Sequence, residues 1–378
     1  MRVLILSCNT GEGHNSTASA ISEVMEQRGI EVSTMDALSL WSPEMSKFIC
    51  NWHVRIYRKL PKLFDVGYKL LDNQQQEPGK DGMVYEMLSK GADALYQLIV
   101  EKQYDAVICV HMFAGMMLTK VRRQFQLAIP TFFVATDYTC SPYVDQCEMD
   151  TLFIPDERLV GDFLAKNLPA NRLYASGIPV KQTFFTKEDK KAVRQRLGLP
   201  QSKKILLCMS GSMGAGHIKK LVKTVVENLP ENAMMVFICG SNEKLYNDFL
   251  KYSGDKLHLL GFTKEMSAYM DAADLMLSKP GGLSSTEAAA KGLPLIFVNA
   301  VGGCEGPNLD YFCKHQFALT AEDVDELAYL TCKTLMNDEA LRAMSLRLKE
   351  GFPHNGAVEI CNVVMQKVLQ RSVCTVTS

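Results

Sequence analysis

Three polar side chains follow apolar runs: His14 at the end of the loop after Val3 to Cys8, His111 after Tyr104 to Val110, and Asp137 with Thr136 after Thr131 to Ala135. Imidazole and carboxylate groups take up and return protons in catalysis. If those runs are successive parallel strands, their carboxyl ends open on one crevice, and the three side chains share it. A second stretch, Asp274 to Asn308, suits an anion. Its apolar run is broken by Pro280-Gly281-Gly282, hydroxyls follow at Ser284, Ser285 and Thr286, and Glu287-Ala-Ala-Ala-Lys291 is strongly helix-forming. A helix start built from Gly282, Leu283, Ser284 and Ser285, with no acid before Glu287, is prepared for phosphate. Glu287, one turn in, disfavours phosphate but accepts hydrogen bonds from sugar hydroxyls. A diphosphate beside a ribose is the chemistry of a nucleotide-sugar. The same residues also read as an ordinary turn with a capping box from Ser284 to Glu287.

The elements that must position these groups follow from periodicity. Val3 to Cys8 reads as a buried strand, Asn9 to His14 as a glycine loop through Gly11 and Gly13, and Ser16 to Arg28 as a helix ended by Gly29. Ile30 to Met35 is a second strand, completing a βαβ opening. Gly11-x-Gly13-x-x-Ser16, with Asp36 about 20 residues on, is close to a dinucleotide fingerprint. Ser16 in place of the third glycine, and His14 at the end of the loop, argue against NAD. Helical pattern occupies Met83 to Lys102, and Leu152 to Pro155 and Leu173 to Val180 read as the last strands of this half. A charged helix over Lys187 to Leu197 follows, and the pattern then restarts. Lys204 to Met209 is a strand, Ser210 to Gly216 a glycine loop carrying Ser212 and Met213, and Ile218 to Leu229 a helix. Strands at Met234 to Cys239 and Leu257 to Leu260 come next, the latter ending at Gly261-Phe262. The stretch from Asp274 to Asn308 reads as strand, glycine turn, helix, strand and then a polar loop, and helices follow over 324–335, 340–348 and 356–369. Two consecutive α/β units, each opening strand, glycine loop, helix, imply two domains facing a cleft.

A chain of 378 residues is long enough for two cores. The net charge of −1 gives no general attraction to nucleic acid. The 12 cysteines include no CxxC pair, which suits free thiols in a reducing cytosol better than disulfides or zinc. No signal peptide and no apolar run of about 20 residues are present. Residues 41–71 differ from the rest. Trp41, Phe48, Trp52, Tyr57, Phe64 and Tyr68 alternate with Lys47, Arg55, Arg58, Lys59, Lys62 and Lys69, and Glu44 and Asp65 are the only acids between Trp41 and Lys69. A basic, aromatic amphipathic segment suits an anionic bilayer surface, or else a core-packing helix pair with a solvated basic face.

The run GEGHNSTASAI (Gly11 to Ile21), the TDY segment at Asp137, SGIPV (Ser176 to Val180), SGSMGAG (Ser210 to Gly216), KPGG with STEA (Lys279 to Ala288) and EGPN (Glu305 to Asn308) occur in this order. Together they resemble the monogalactosyldiacylglycerol synthase and processive diacylglycerol glucosyltransferase family, over nearly the whole chain. The resemblance implies a GT-B fold with domains at 1–182 and 183–352 and a helix at 353–378 returning to the first. It implies an inverting transfer of glucose or galactose from a UDP-sugar to diacylglycerol, with no further cofactor and no metal. UDP-glucose or UDP-galactose, diacylglycerol and an anionic membrane surface are the implied partners. The implied location is cytoplasmic, peripheral on the inner face of the cell membrane. His14 and Asp137 are the implied catalytic residues. Gly13, Ser212, Met213, Phe262, Gly282, Leu283, Ser284, Ser285 and Glu287 would meet the nucleotide, and Glu305 and Asn308 the hexose. Two departures from the family pattern stand at the sugar and acceptor positions: Gly302-Gly303-Cys304 for Pro-Gly-Gln, and Cys140-Ser141-Pro142 after Asp137. A polyprenyl-linked acceptor, or a UDP-sugar sensor without turnover, are the alternative readings.

Overall fold

The computed structural model describes residues 1–9, 12–42, 44, 46–47, 86, 90–209, 218–298 and 303–376. The chain divides into two compact units, one formed by Met1–Gln182 with His354–Ser378, the other by Thr183–Pro353. Each is built on a six-stranded sheet, and every pairing in both sheets is parallel.

The first sheet holds β1 (Arg2–Ser7), β2 (Glu31–Asp36), β3 (Ala106–Cys109), β4 (Thr131–Val134), β5 (Thr151–Ile154) and β6 (Leu173–Ala175), in the order β2-β1-β3-β4-β5-β6. Its central strands are continuous apolar runs because helices cover both faces. On one face Val3, Ile5, Ile108 and Phe132 pack with Ala18, Ile21 and Met25 of the helix Glu12–Gln27. Ala357, Ile360, Cys361 and Val364 of the last helix, Gly356–Val376, join the same core. Gly356 makes that approach possible: a Cβ there would stand 2.5 Å from the Gly177 carbonyl oxygen and 3.0 Å from that of Ser176.

The second sheet holds β7 (Lys204–Met209), β8 (Ala233–Ile238), β9 (Leu257–Leu260), β10 (Leu275–Ser278), β11 (Leu295–Phe297) and β12 (Ala318–Thr320), in the order β12-β11-β10-β7-β8-β9. Leu206, Cys208, Phe237, Leu275 and Ile296 form its buried side with Leu221, Val222 and Val225 of the helix Ile218–Asn228.

Three of the segments that differ from the sequence reading bear on the candidate residues. The first helix starts at Glu12 rather than Ser16, so Gly13 and His14 lie in its opening turn. A helix, Met112–Phe125, fills the crossover from β3 to β4. The expected polar loop contains the helix Glu305–Lys314, with Pro307 in the first turn, where a missing N–H costs nothing.

Candidate functional site

Both strand orders reverse direction once, and the candidate residues collect there. In the first sheet the chain steps from β1 outward to β2, then back to β3, so the reversal lies between β1 and β3. In open parallel sheets such a point leaves a crevice at the strand carboxyl ends. His14 follows β1 and His111 follows β3, and their rings meet edge to face with centroids 4.6 Å apart.

His14 is half-buried, and its Nδ1 lies 2.8 Å from the Val110 carbonyl oxygen. A carbonyl only accepts, so Nδ1 carries the proton and neutral His14 keeps its lone pair on Nε2. The Thr136 hydroxyl stands 3.3 Å from the same Nδ1. Desolvation lowers the His14 pKa below the ordinary 6.5, while the Asp137 charge and the Val110 hydrogen bond pull it upward. Desolvation prevails, and the ring is held in the form able to accept a proton. Asp137, half-buried after β4, therefore acts on His14 electrostatically. His111 has a structural duty as well, since its Nδ1 accepts from the Phe113 amide at 3.1 Å and caps the helix Met112–Phe125. Among the described residues a Cβ on Gly13 would meet nothing within 4 Å, so packing against them does not demand glycine there.

The dinucleotide alternative meets an obstacle at Asp36. Its carboxylate accepts from the Leu38 amide at 3.0 Å and from Asn9 Nδ2 at 3.0 Å, and from the Ser46 hydroxyl. Asp36 is a structural cap rather than an acid waiting for a ribose.

In the second unit the reversal lies between β7 and β10, and the turn after β10 is Lys279-Pro280-Gly281. The helix Gly282–Lys291 starts immediately, with Gly281 as N-cap and no side-chain cap hydrogen bond. The capping box from Ser284 to Glu287 is therefore not formed, because the helix begins three residues too early for Ser284 to cap it. By helix geometry the amides of Gly282, Leu283 and Ser284 have no acceptor within the helix, whereas the Ser285 amide is bonded to the Gly281 carbonyl at 3.0 Å. Ser285 Oγ, on a side chain 0% exposed, has no hydrogen-bond partner among the described residues. The Thr286 hydroxyl is spent on the Gly282 carbonyl at 2.7 Å. Glu287 is half-buried on the next turn.

Glu305 and Asn308 support this turn from the following helix. The Lys279 ammonium is 2.7 Å from Glu305 Oε1, and Asn308, 0% exposed, donates to the Pro280 carbonyl at 3.0 Å. That bracing was not visible in the sequence, where the two residues read as sugar contacts on a loop. Phe262, just beyond β9, is 74% exposed. Ser212 and Met213, and residues 48–71 of the basic aromatic segment, lie outside the described residues. Among the described residues no group of three or more His, Cys, Asp or Glu side chains is arranged to hold a metal ion. Among the same residues no helix is long and apolar enough to cross a membrane.

Comparison with known proteins agrees with this layout. Residues 14–180 match the Monogalactosyldiacylglycerol (MGDG) synthase family, and residues 205–309 match the Glycosyltransferase family 28 C-terminal domain. The processive diacylglycerol beta-glucosyltransferase of Bacillus cereus (strain B4264) is 26% identical, covering 96% of this chain and 93% of that protein. That of Bacillus subtilis (strain 168) is 26% identical over 98% and 95%. Among solved structures, MurG of Acinetobacter baumannii superposes with a TM-score of 0.65 at 17% identity, covering 97% of this chain and 99% of that one. Staphylococcus aureus MnaA in its UDP co-structure gives 0.62 at 14% identity, over 95% and 94%. At these identities the structural likeness speaks for the fold, a two-domain α/β arrangement of the GT-B class.

Proposed function

The chain belongs to the diacylglycerol glycosyltransferase group of glycosyltransferase family 28, and on that premise we propose that it moves a hexose, glucose or galactose, from a UDP-sugar to the free hydroxyl of diacylglycerol with inversion. The observation that carries this reading is the start of the helix Gly282–Lys291, with no side-chain cap, beside the buried Ser285 hydroxyl, which has no partner among the described residues. Such a start has donors and positive dipole to offer a diphosphate, and small residues that admit it.

The chemistry has two halves. In the first, His14 Nε2 takes the proton of the acceptor hydroxyl as its oxygen bonds to the anomeric carbon. In the second, the bond from that carbon to the diphosphate breaks, and UDP leaves with its new charge held by the amides of Gly282, Leu283 and Ser284 and by Ser285 Oγ. A single displacement from the face opposite the leaving group inverts the anomeric carbon. Glu287 accepts from the ribose hydroxyls. Ser212 and Met213 approach the phosphates and Phe262 the base. Asn308 and Glu305 shape the sugar end through the Lys279–Gly281 turn. Residues 41–71 rest on an anionic membrane surface, which makes the protein peripheral on the cytoplasmic face and brings it to an acceptor that never leaves the bilayer.

The test is to incubate purified protein with diacylglycerol in anionic vesicles, supply UDP-glucose, UDP-galactose or UDP-N-acetylglucosamine, and separate the lipids. A new glycolipid from one hexose donor is expected. No product from any donor, with UDP still bound, would favour another lipid acceptor or a sensor.

A further inference from the structure

The second unit contains a cavity of about 250 Å³ whose walls include Phe184, Phe185 and Phe352 together with Lys187, Lys291 and Lys349. The three cations are held differently. Lys291 is neutralised: its ammonium pairs with Asp271 at 2.5 Å, both side chains 1% exposed, and donates to the Thr186 carbonyl. Lys187 and Lys349 take part in no ion pair among the described residues. Lys349 is nevertheless positioned, because its stem lies over Gly292, where an added Cβ would stand 2.8 Å from Cε and 3.0 Å from Cγ. Lys187 follows Thr186, whose carbonyl Lys291 fixes. Desolvation, then repulsion from Lys349 and Lys190, pulls the Lys187 pKa below its usual value, with the Asp271 charge acting the other way and Lys291 adding to the repulsion. Lys190 is itself paired with Asp274 at 2.8 Å. Two ammonium groups that repel each other beside an aromatic wall gain from any anion that enters.

We propose that this cavity binds a phosphate ester, with Lys187 and Lys349 on the phosphate and Phe184 and Phe352 against its non-polar part. Ala290 and Lys291 place it at the far end of the helix Gly282–Lys291 from the start assigned to the diphosphate. It is a second anion site rather than part of the donor site. Lysine is a phosphate ligand as a point charge, and the aromatic wall disfavours a fully hydrated inorganic anion. The ester is supplied either as a lipid headgroup or as a soluble metabolite.

The experiment uses the full chain, without and with saturating UDP, so that occupancy of the donor site is read separately. Calorimetry at constant ionic strength follows inorganic phosphate and glycerol 3-phosphate. Flotation follows phosphatidylcholine vesicles with and without phosphatidic acid. At least one ester probe should bind saturably, with UDP present, and lose about tenfold or more in affinity in Lys187→Gln/Lys349→Gln, as expected for charged hydrogen bonds. Lys349→Arg should retain binding. Glycerol 3-phosphate binding identifies a soluble ester, and lysine-dependent flotation confined to phosphatidic acid vesicles identifies a headgroup. No saturable binding of any probe, or binding that the double substitution leaves unchanged in a protein still folded by circular dichroism, overturns the proposal. Loss of UDP binding with phosphate-ester binding intact would count against the proposed donor site only.

Discussion

The Nδ1 nitrogen of His14 lies 2.8 Å from the Val110 carbonyl oxygen. That contact joins the loop after β1 to the end of β3 and leaves Nε2 as the atom able to receive a proton. One hydrogen bond thus sets both the orientation and the tautomer of the candidate base.

Replacing His14 by Ala should lower kcat by about 10²- to 10⁴-fold, the usual contribution of a positioned base, while UDP binding is kept. Initial rates on vesicle-borne diacylglycerol and a UDP titration check the two halves of this expectation.

The pH profile should carry the sign of the His14 environment. Because desolvation lowers its pKa, the base stays neutral at neutral pH, and activity should fall only as pH drops through a value below 6.5. The Asp137 charge raises that pKa, so Asp137→Asn should move the acid limb to still lower pH. An acid limb moving upward in the variant would contradict the assigned electrostatics.

Asn308→Ala should weaken the second unit. The side chain is wholly buried and donates to the Pro280 carbonyl at 3.0 Å, and losing that donor costs about 1–3 kcal/mol. Because Pro280 precedes the helix start, the KM for the donor should rise as the unfolding midpoint in urea falls. An unchanged midpoint would remove Asn308 as the brace.

Lys291 and Asp271 form an ion pair with each side chain 1% exposed. Lys291→Met alone should destabilise by about 3–5 kcal/mol, since it strands a buried carboxylate, whereas adding Asp271→Leu should restore much of the loss. Denaturant melts of the two variants decide this. A double variant no more stable than the single one would show that the pair is held for other contacts.

Gly356→Ala should loosen the last helix from the first unit. The added methyl group would meet the backbone of Gly177 at 2.5 and 2.9 Å, which no rotamer relieves, and overpacking of this kind costs about 1–3 kcal/mol. Faster hydrogen exchange in residues 357–364 is the readout, and unchanged protection would contradict it.

Much of the fold was legible because its strands are buried on both faces and therefore read as unbroken apolar runs. The repeated strand, glycine loop, helix pattern announced two α/β units, whereas the two reversals of strand order, at β1/β3 and at β7/β10, come from long-range pairings that the pattern does not fix. Local geometry at the turns was less legible. Ser284 has the composition of a cap, but Gly281 in extended conformation starts the helix first. Asp36 stands at the spacing of a ribose acid, yet its oxygens are taken by Leu38, Asn9 and Ser46. Gly306-Pro307 looked like loop composition, although proline is tolerated in a first helical turn. In each case the deciding partner is distant or one turn away, and no residue spacing announces it.

The most direct test of the account is to measure UDP release and glycolipid formation together, with and without diacylglycerol, in the wild-type protein and in His14→Ala. The account predicts one UDP released per glycolipid formed, release that depends on diacylglycerol, and loss of both in the variant. UDP release at the same rate without diacylglycerol, or full glycolipid formation by His14→Ala, would contradict it.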